Sequence, residues 1–144
     1  MVTSNDCIAK FGKPDRIMEM KHLALWDVPS AINMLIPTLP NKIYCNKLLV
    51  QPLENAFINI IDRCLTAELK TWDGCFNIRA KKGSASFSLH SWAIAVDINA
   101  AWNGWKKIPQ MSAELVKCFT DAGFDWGGNW TTKDGMHFQL KSIL

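Results

Sequence analysis

At 144 residues, with 49% hydrophobic residues and a net charge of +3, the chain is long enough to bury an ordinary core as a single domain without disulfides, and no run of 18 apolar residues marks a membrane span. The basic groups Lys81-Lys82 and Lys106-Lys107 are too small and too dispersed to make nucleic acid the main partner; they read as solvated surface, or as a mild field that draws in an anionic polymer. Five cysteines, Cys7, Cys45, Cys64, Cys75 and Cys118, form no close pair, which argues against a Cys-x-x-Cys motif or a secreted disulfide framework and leaves reduced, mostly buried thiols.

Residues 1 to about 50 carry the weakest signal. The opening Met1 to Asp6 lacks the basic and then apolar profile of a secretory signal, so synthesis and retention in the cytoplasm are expected. Pro14, Pro29, Pro37 and Pro40 break the segment into short pieces, and His22 to Trp26 fits a short strand or a helical turn. His22 has no acidic or histidine partner at ligand spacing and reads as a surface or packing residue.

From Pro52 the pattern sharpens. Leu53, Ala56, Phe57, Ile60, Ile61 and Cys64 recur at helical spacing and predict a core-facing helix to about Ala67, with the proline in its first turn. Thr71 to Gly74 predicts a turn, which accounts for Asp73. Cys75 to Ala80 alternates as a strand with Cys75, Asn77 and Arg79 on one face, and Lys81 to Ser86 is a loop. A second loop spans Trp102 to Pro109. A helix follows, with Ser112 as N-cap, Leu115, Cys118, Phe119 and Ala122 on one side and Gly123 at its end. Phe124 to Trp130, with paired glycines between tryptophans, is a third loop in which Asp125 reads as structural. Five of the seven tryptophans follow His90. They anchor core and loops, or else Trp92, Trp126 or Trp130 walls a cleft with a flat aromatic surface.

The chemistry gathers in two stretches, Ser88 to Asn99 and Asp134 to Leu140. His90 and Asp97 are seven residues apart, which on a straight helix means roughly 10 Å of rise and on a continuous strand means opposite faces. The spacing works if His90 sits on a bend before a strand at Ala95 to Asn99, where Asp97 and Asn99 share one face and Val96 and Ile98 turn to the core. Met136 to Leu140 alternates in the same way and predicts a second half-buried strand with His137 and Gln139 on the polar side. Side by side, the two strands bring His90, Asp97 and His137 together as two nitrogens and one oxygen for tetrahedral zinc. The fourth position stays open for water, whose pKa zinc lowers to about 7. Asp134, in a turn with Gly135 three residues before His137, is the candidate base.

The pattern Ser-x-His-x(6)-Asp, here Ser88 to Asp97, followed by Trp-x(3)-Asp-x-x-His-Phe, here Trp130 to Phe138, resembles the D-Ala-D-Ala carboxypeptidase and L-alanyl-D-glutamate endopeptidase family. These are zinc peptidases of bacterial cell walls and include phage endolysins. The resemblance is specific over roughly residues 72 to 140. It implies that His90, Asp97 and His137 bind zinc, that Asp134 matches the catalytic acid, and that Arg79 matches an upstream arginine that polarises the substrate carbonyl; without it, Arg79 reads as a surface or salt-bridging residue. Ser88 either touches substrate or stabilises the bend before His90. Ala93 stands where members of the family commonly have glycine.

The expected fold is α+β, with helices packed on a small antiparallel sheet whose polar face carries the zinc, in the manner of hedgehog and D-Ala-D-Ala peptidase domains. The expected function is hydrolysis of peptidoglycan stem peptides by a monomeric enzyme of the phage-lysin type that does not insert in membranes. A D-Ala-D-Ala carboxypeptidase and a non-catalytic zinc-stabilised binding module are the rivals. A nucleic-acid deaminase fails for want of its His-x-Glu and Pro-Cys-x-x-Cys motifs.

Overall fold

A computed structural model describes residues 1–144. The first fifty residues, nearly opaque in sequence, fold into five short elements: α1 (Ser4–Phe11), α2 (Arg16–His22), β1 (Leu23–Asp27), α3 (Ser30–Leu35) and β2 (Lys42–Asn46). Each of the first two helices has a side-chain cap. Thr3 and Asp6 form a reciprocal capping box on α1, and the Asp15 carboxylate accepts from the Met18 amide at 2.9 Å. β1 and β2 pair antiparallel from Leu23↔Asn46 to Asp27↔Lys42, so the stretch after His22 is a strand rather than a helical turn. His22 packs edge-on against Phe11, ring centroids 5.1 Å apart.

Helix α4 (Val50–Asp62) buries Leu53, Ala56, Phe57 and Ile60 as its periodicity predicts, but Ile61 is only half-buried and Cys64 lies past the helix end and is exposed. The helix stops five residues before Ala67. Cys64 adopts a left-handed conformation, φ 58°, while the Leu65 amide donates to Ile60 O at 2.9 Å and the Cys64 amide to Ile61 O at 3.1 Å. These bonds close the helix as a Schellman motif with cysteine where glycine is usual. Thr66–Glu68 then forms a separate 3-10 turn, which prolongs the apparent helical pattern.

The second sheet has the order β3-β4-β6-β5, all antiparallel, formed by β3 (Trp72–Gly74), β4 (Ala95–Ile98), β5 (Phe124–Trp126) and β6 (His137–Leu140), with α5 (Ala113–Thr120) between β4 and β5 in sequence. Together with the helices it makes an α+β fold, as expected. Three local expectations are corrected. The Thr71 to Gly74 turn is in fact strand β3, and Cys75 to Ala80 is not a strand. The latter stretch spends its hydrogen bonds on the turn around His90 instead: the Asn77 amide donates to His90 O at 3.1 Å, Ser88 N to Arg79 O at 2.8 Å, and the Arg79 amide to Ser91 Oγ at 3.2 Å. Phe124 to Trp126 is an edge strand on β6 rather than a loop.

Asn99 leaves β4 and does not share a face with Asp97. At φ 52° it turns its side chain inward, accepting from the Lys70 and Thr71 amides at 2.8 and 3.1 Å and donating to Glu68 O at 2.8 Å. That amide ties the 3-10 turn to the end of β4. Helix α5 agrees with expectation: Ser112 caps it through the Leu115 amide at 3.1 Å, and Leu115, Cys118 and Phe119 are buried. Phe119 stacks on Phe138 of β6 at 4.3 Å, within a core cluster of 33 buried residues that extends across both sheets.

Asn99→Ala leaves the part-buried Lys70 and Thr71 amides without their acceptor and puts alanine at a positive φ. A loss of about 2–4 kcal/mol is expected, to be read from urea unfolding midpoints. A loss below about 1 kcal/mol would contradict this account of the β4 end.

Candidate metal centre

His90 sits on the 3-10 turn Leu89–Trp92. Ser88 Oγ accepts from the His90 amide at 3.3 Å, and Ala93 closes the turn with a left-handed backbone, φ 53°, its amide donating to His90 O at 3.0 Å. A left-handed alanine is unfavourable by roughly 1–2 kcal/mol, and glycine would relieve that strain here. The turn is pinned to the first sheet by Asn46, whose amide donates to Ala93 O at 3.1 Å and whose Nδ2 donates to Trp92 O at 3.2 Å. The bend predicted before β4 is therefore present and braced from both sides.

The β4-β6 register makes Asp97 and His137 direct partners. Their side chains meet His90 in a buried cluster: His90 Nε2 lies 3.2 Å from Asp97 Oδ2, His137 Nδ1 lies 3.4 Å from Asp97 Oδ1, and the imidazole centroids are 5.1 Å apart. His90 and His137 are 3% and 6% exposed. The His90 ring is oriented by the Cys75 carbonyl, 2.7 Å from Nδ1; a carbonyl can only accept, so Nδ1 carries the proton and Nε2 is left free.

His90 Nε2 and Asp97 Oδ1 are buried without a hydrogen-bond partner. Buried polar atoms are nearly always satisfied, so two orphans aimed into one space mark a place for a ligand. The ligand atoms of His90, Asp97 and His137 all lie within 4.8 Å of one another. Two neutral imidazole nitrogens and a carboxylate oxygen are a donor set that suits zinc, so the residues present fit that ion.

Charge at the centre follows from burial and proximity. Burial alone would raise the Asp97 carboxyl, but the adjacent His137 and His90 outweigh it and hold Asp97 well below the usual range. Burial likewise works to lower His90, but Asp97 and the Cys75 carbonyl prevail and raise it. Asp134 is lifted above its ordinary value by burial, reinforced by the charge of Asp97 and opposed by His137, Lys82 and His90.

The cluster opens on a cleft of about 410 Å³, within the range typical of small-molecule and peptide sites. Arg79, Ser88, Trp130 and Asp134 line it. The Trp130 ring lies 5.2 Å from that of His137. Trp92 is a correction: it is fully buried, donates from Nε1 to Gly12 O at 2.8 Å and packs against Phe87, so it belongs to the core and contributes no cleft wall. Trp126 anchors the Asp134 loop by donating to Gly135 O at 2.8 Å. The paired glycines have a steric reason, since a Cβ on Gly127 would strike the Asp134 carbonyl and one on Gly128 the Trp126 indole.

Several lining residues escaped the sequence reading. Gln139 lies 3.1 Å from His137 Nε2; its place on the polar side of the strand was the available signal. Lys82, poised 5.4 Å over the Trp105 ring, and the first three residues also line the cleft; the basic pair Lys81-Lys82 was the cue for the lysine, while the first three residues have none, because long-range folding alone brings them there.

Residues 82–140 match the model of the family described as D-alanyl-D-alanine carboxypeptidase, which bears out the resemblance carried by the two motifs over that stretch. No curated protein and no solved structure matches the chain. The match and the cluster together support a zinc peptidase.

For the metal-free protein the shifts set a pH window. The depressed Asp97 stabilises the fold above its unfolded value of about 4 and loses that effect as pH falls; the raised His90 stabilises below about 6.5 and loses its effect as pH climbs through its folded value. Asp134, raised, acts against Asp97 near pH 4 and blunts the acid limb. Urea unfolding in chelator from pH 3 to 8 is expected to peak between about pH 4 and 6.5, and Asp97→Asn to flatten the acid limb. An unchanged acid limb in that variant would show that Asp97 is not the group responsible.

Proposed function

We propose that this chain is a zinc-dependent peptidase that hydrolyses peptidoglycan stem peptides, as an endopeptidase between L-Ala and D-Glu of the endolysin type. The observation that carries the reading is the buried His90-Asp97-His137 cluster with two orphaned ligand atoms, set at the base of a cleft that also holds Asp134 and Arg79. A purely structural zinc needs neither of those two residues, which weighs against a non-catalytic binding module.

His90 and His137 would hold the ion through nitrogen and Asp97 through oxygen. Zinc, when bound, supplies a Lewis acid that polarises a carbonyl and lowers the pKa of a ligated water. The protein's own residues do the rest. Asp134, with a carboxyl pKa raised by burial, is suited to take a proton from the attacking water and deliver it to the leaving amine, since a base works best with its pKa moved toward the working pH. Arg79 donates hydrogen bonds to the oxygen that gains charge as the carbonyl becomes tetrahedral. Trp130 offers a flat wall beside His137, and Ser88, already committed to the His90 amide, holds the turn while facing the cleft.

The cleft is cationic on one side, where Arg79, Lys81 and Lys82 all line it. Stem peptides carry free carboxylates, so this charge favours them over neutral peptides. The same feature accommodates a terminal D-Ala carboxylate, and the matched family's description names that activity, so carboxypeptidase action is the second reading.

The test is mass spectrometry of purified peptidoglycan after incubation with the protein, with zinc and after chelation, alongside Asp134→Ala. New L-Ala and D-Glu ends support the endopeptidase; loss of single D-Ala residues supports the carboxypeptidase. Asp134→Ala is expected to retain zinc and lose roughly 10²- to 10⁴-fold in rate. Full activity in that variant would remove Asp134 as the base, and no zinc-dependent product from zinc-loaded protein would overturn the peptidase reading.

A further inference from the structure

His90 has a backbone carbonyl to orient it, but His137 does not. On the side of the ring away from Asp97, His137 Nε2 meets Gln139 Oε1 at 3.1 Å, and Gln139 Nε2 donates in turn to the Val2 carbonyl at 3.2 Å. Gln139 is 2% exposed and Val2 8%, so this chain of contacts is shielded from water. Its direction is fixed by chemistry. The Val2 carbonyl has no hydrogen to give, so the amide nitrogen of Gln139 must face it and the amide oxygen must face His137. That oxygen also can only accept, so the proton of a neutral His137 ring is held at Nε2 and the Nδ1 lone pair is left pointing at Asp97.

We propose that Gln139 is a positioning residue of the metal centre: keyed by the backbone of Val2, it selects the His137 tautomer and ring orientation that direct Nδ1 toward the ion. The inference rests on the zinc reading of the His90-Asp97-His137 cluster. It makes the opening residues of the chain, remote in sequence from both motifs, part of what holds the site ready. Val2 backs the centre through Gln139 while lining the same cleft, so the segment that walls the cleft also sets a ligand.

Two variants separate positioning from packing. Gln139→Met keeps the length and apolar bulk of the side chain but neither hydrogen bond, whereas Gln139→Glu keeps an acceptor for the His137 N–H and loses the donor to Val2. Zinc affinity is measured by chelator competition, with the unfolding midpoint of each metal-free variant as control. Loss of an outer partner of a metal-bound histidine typically weakens binding 10- to 100-fold. That loss is expected for Gln139→Met, and affinity within about threefold of the parent for Gln139→Glu. Parent-like zinc affinity in Gln139→Met would overturn the proposal, as would an equal loss in both variants.

Long-range nitrogen NMR of the parent protein, zinc-loaded and metal-free at alkaline pH, gives a readout independent of any variant's folding. Protonated Nε2 and unprotonated Nδ1 on His137 are expected, and the reverse tautomer would overturn the assignment. A parent protein that binds no zinc would defeat the peptidase reading, while the metal-free spectrum would still decide whether Gln139 selects the tautomer.

Discussion

The structure turns on one buried carboxylate. Asp97 stands on a strand with an imidazole on either side, each nitrogen within 3.4 Å of one of its oxygens, and it is largely withdrawn from water. Such a charge is costly to bury unless its partners are held in place. Much of the surrounding architecture does that holding. The β4-β6 register sets His137 opposite Asp97, and the turn after Ser88 swings His90 back over the strand. The Asn46 and Cys75 contacts keep that turn from relaxing. What remains unsatisfied, one nitrogen and one oxygen, is the part of the arrangement that a cation would complete.

The same constraint explains where strain is tolerated. Ala93 and Asn99 flank β4, both with left-handed backbones, and each lets the chain change direction within two residues of the strand. The strand is thus only four residues long, enough to pair with β6 and place one carboxylate. On the other side of the cleft the Gly127-Gly128 pair lets the Asp134 loop approach closely, and an isolated bridge between Trp105 and Asp134 ties it down. The acid is thereby fixed by backbone, while its carboxyl shares the cleft with the cluster.

Much of this was legible in the sequence wherever a short-range rule sufficed. Alternation around Asp97 and His137 identified two strands, although both faces of the second are buried rather than one, and the awkward seven-residue spacing from His90 required a bend. Ser112 and the apolar periodicity identified α5. Apart from the helix end at Cys64, which is set locally, the main failures share a cause: the deciding partner was distant in sequence. Cys75 to Ala80 alternates like a strand, but its hydrogen bonds go to the His90 turn. Asn99 continues the polar alternation of β4, yet three backbone groups at 68–71 draw its side chain inward. Trp92 looks like a cleft wall by its place in the motif and is core because Gly12 of the first helix's end accepts its N–H. The role of the first three residues had no local signature at all.

The central claim, that this cluster is built to hold one metal ion, is tested most directly by anomalous scattering at the zinc absorption edge from crystals grown with one equivalent of zinc. The account predicts a single strong anomalous peak bounded by His90 Nε2, an Asp97 carboxylate oxygen and His137 Nδ1, with Asp134 outside bonding distance. Zinc bound elsewhere, or a cluster left empty while its side chains keep the positions described, would contradict it.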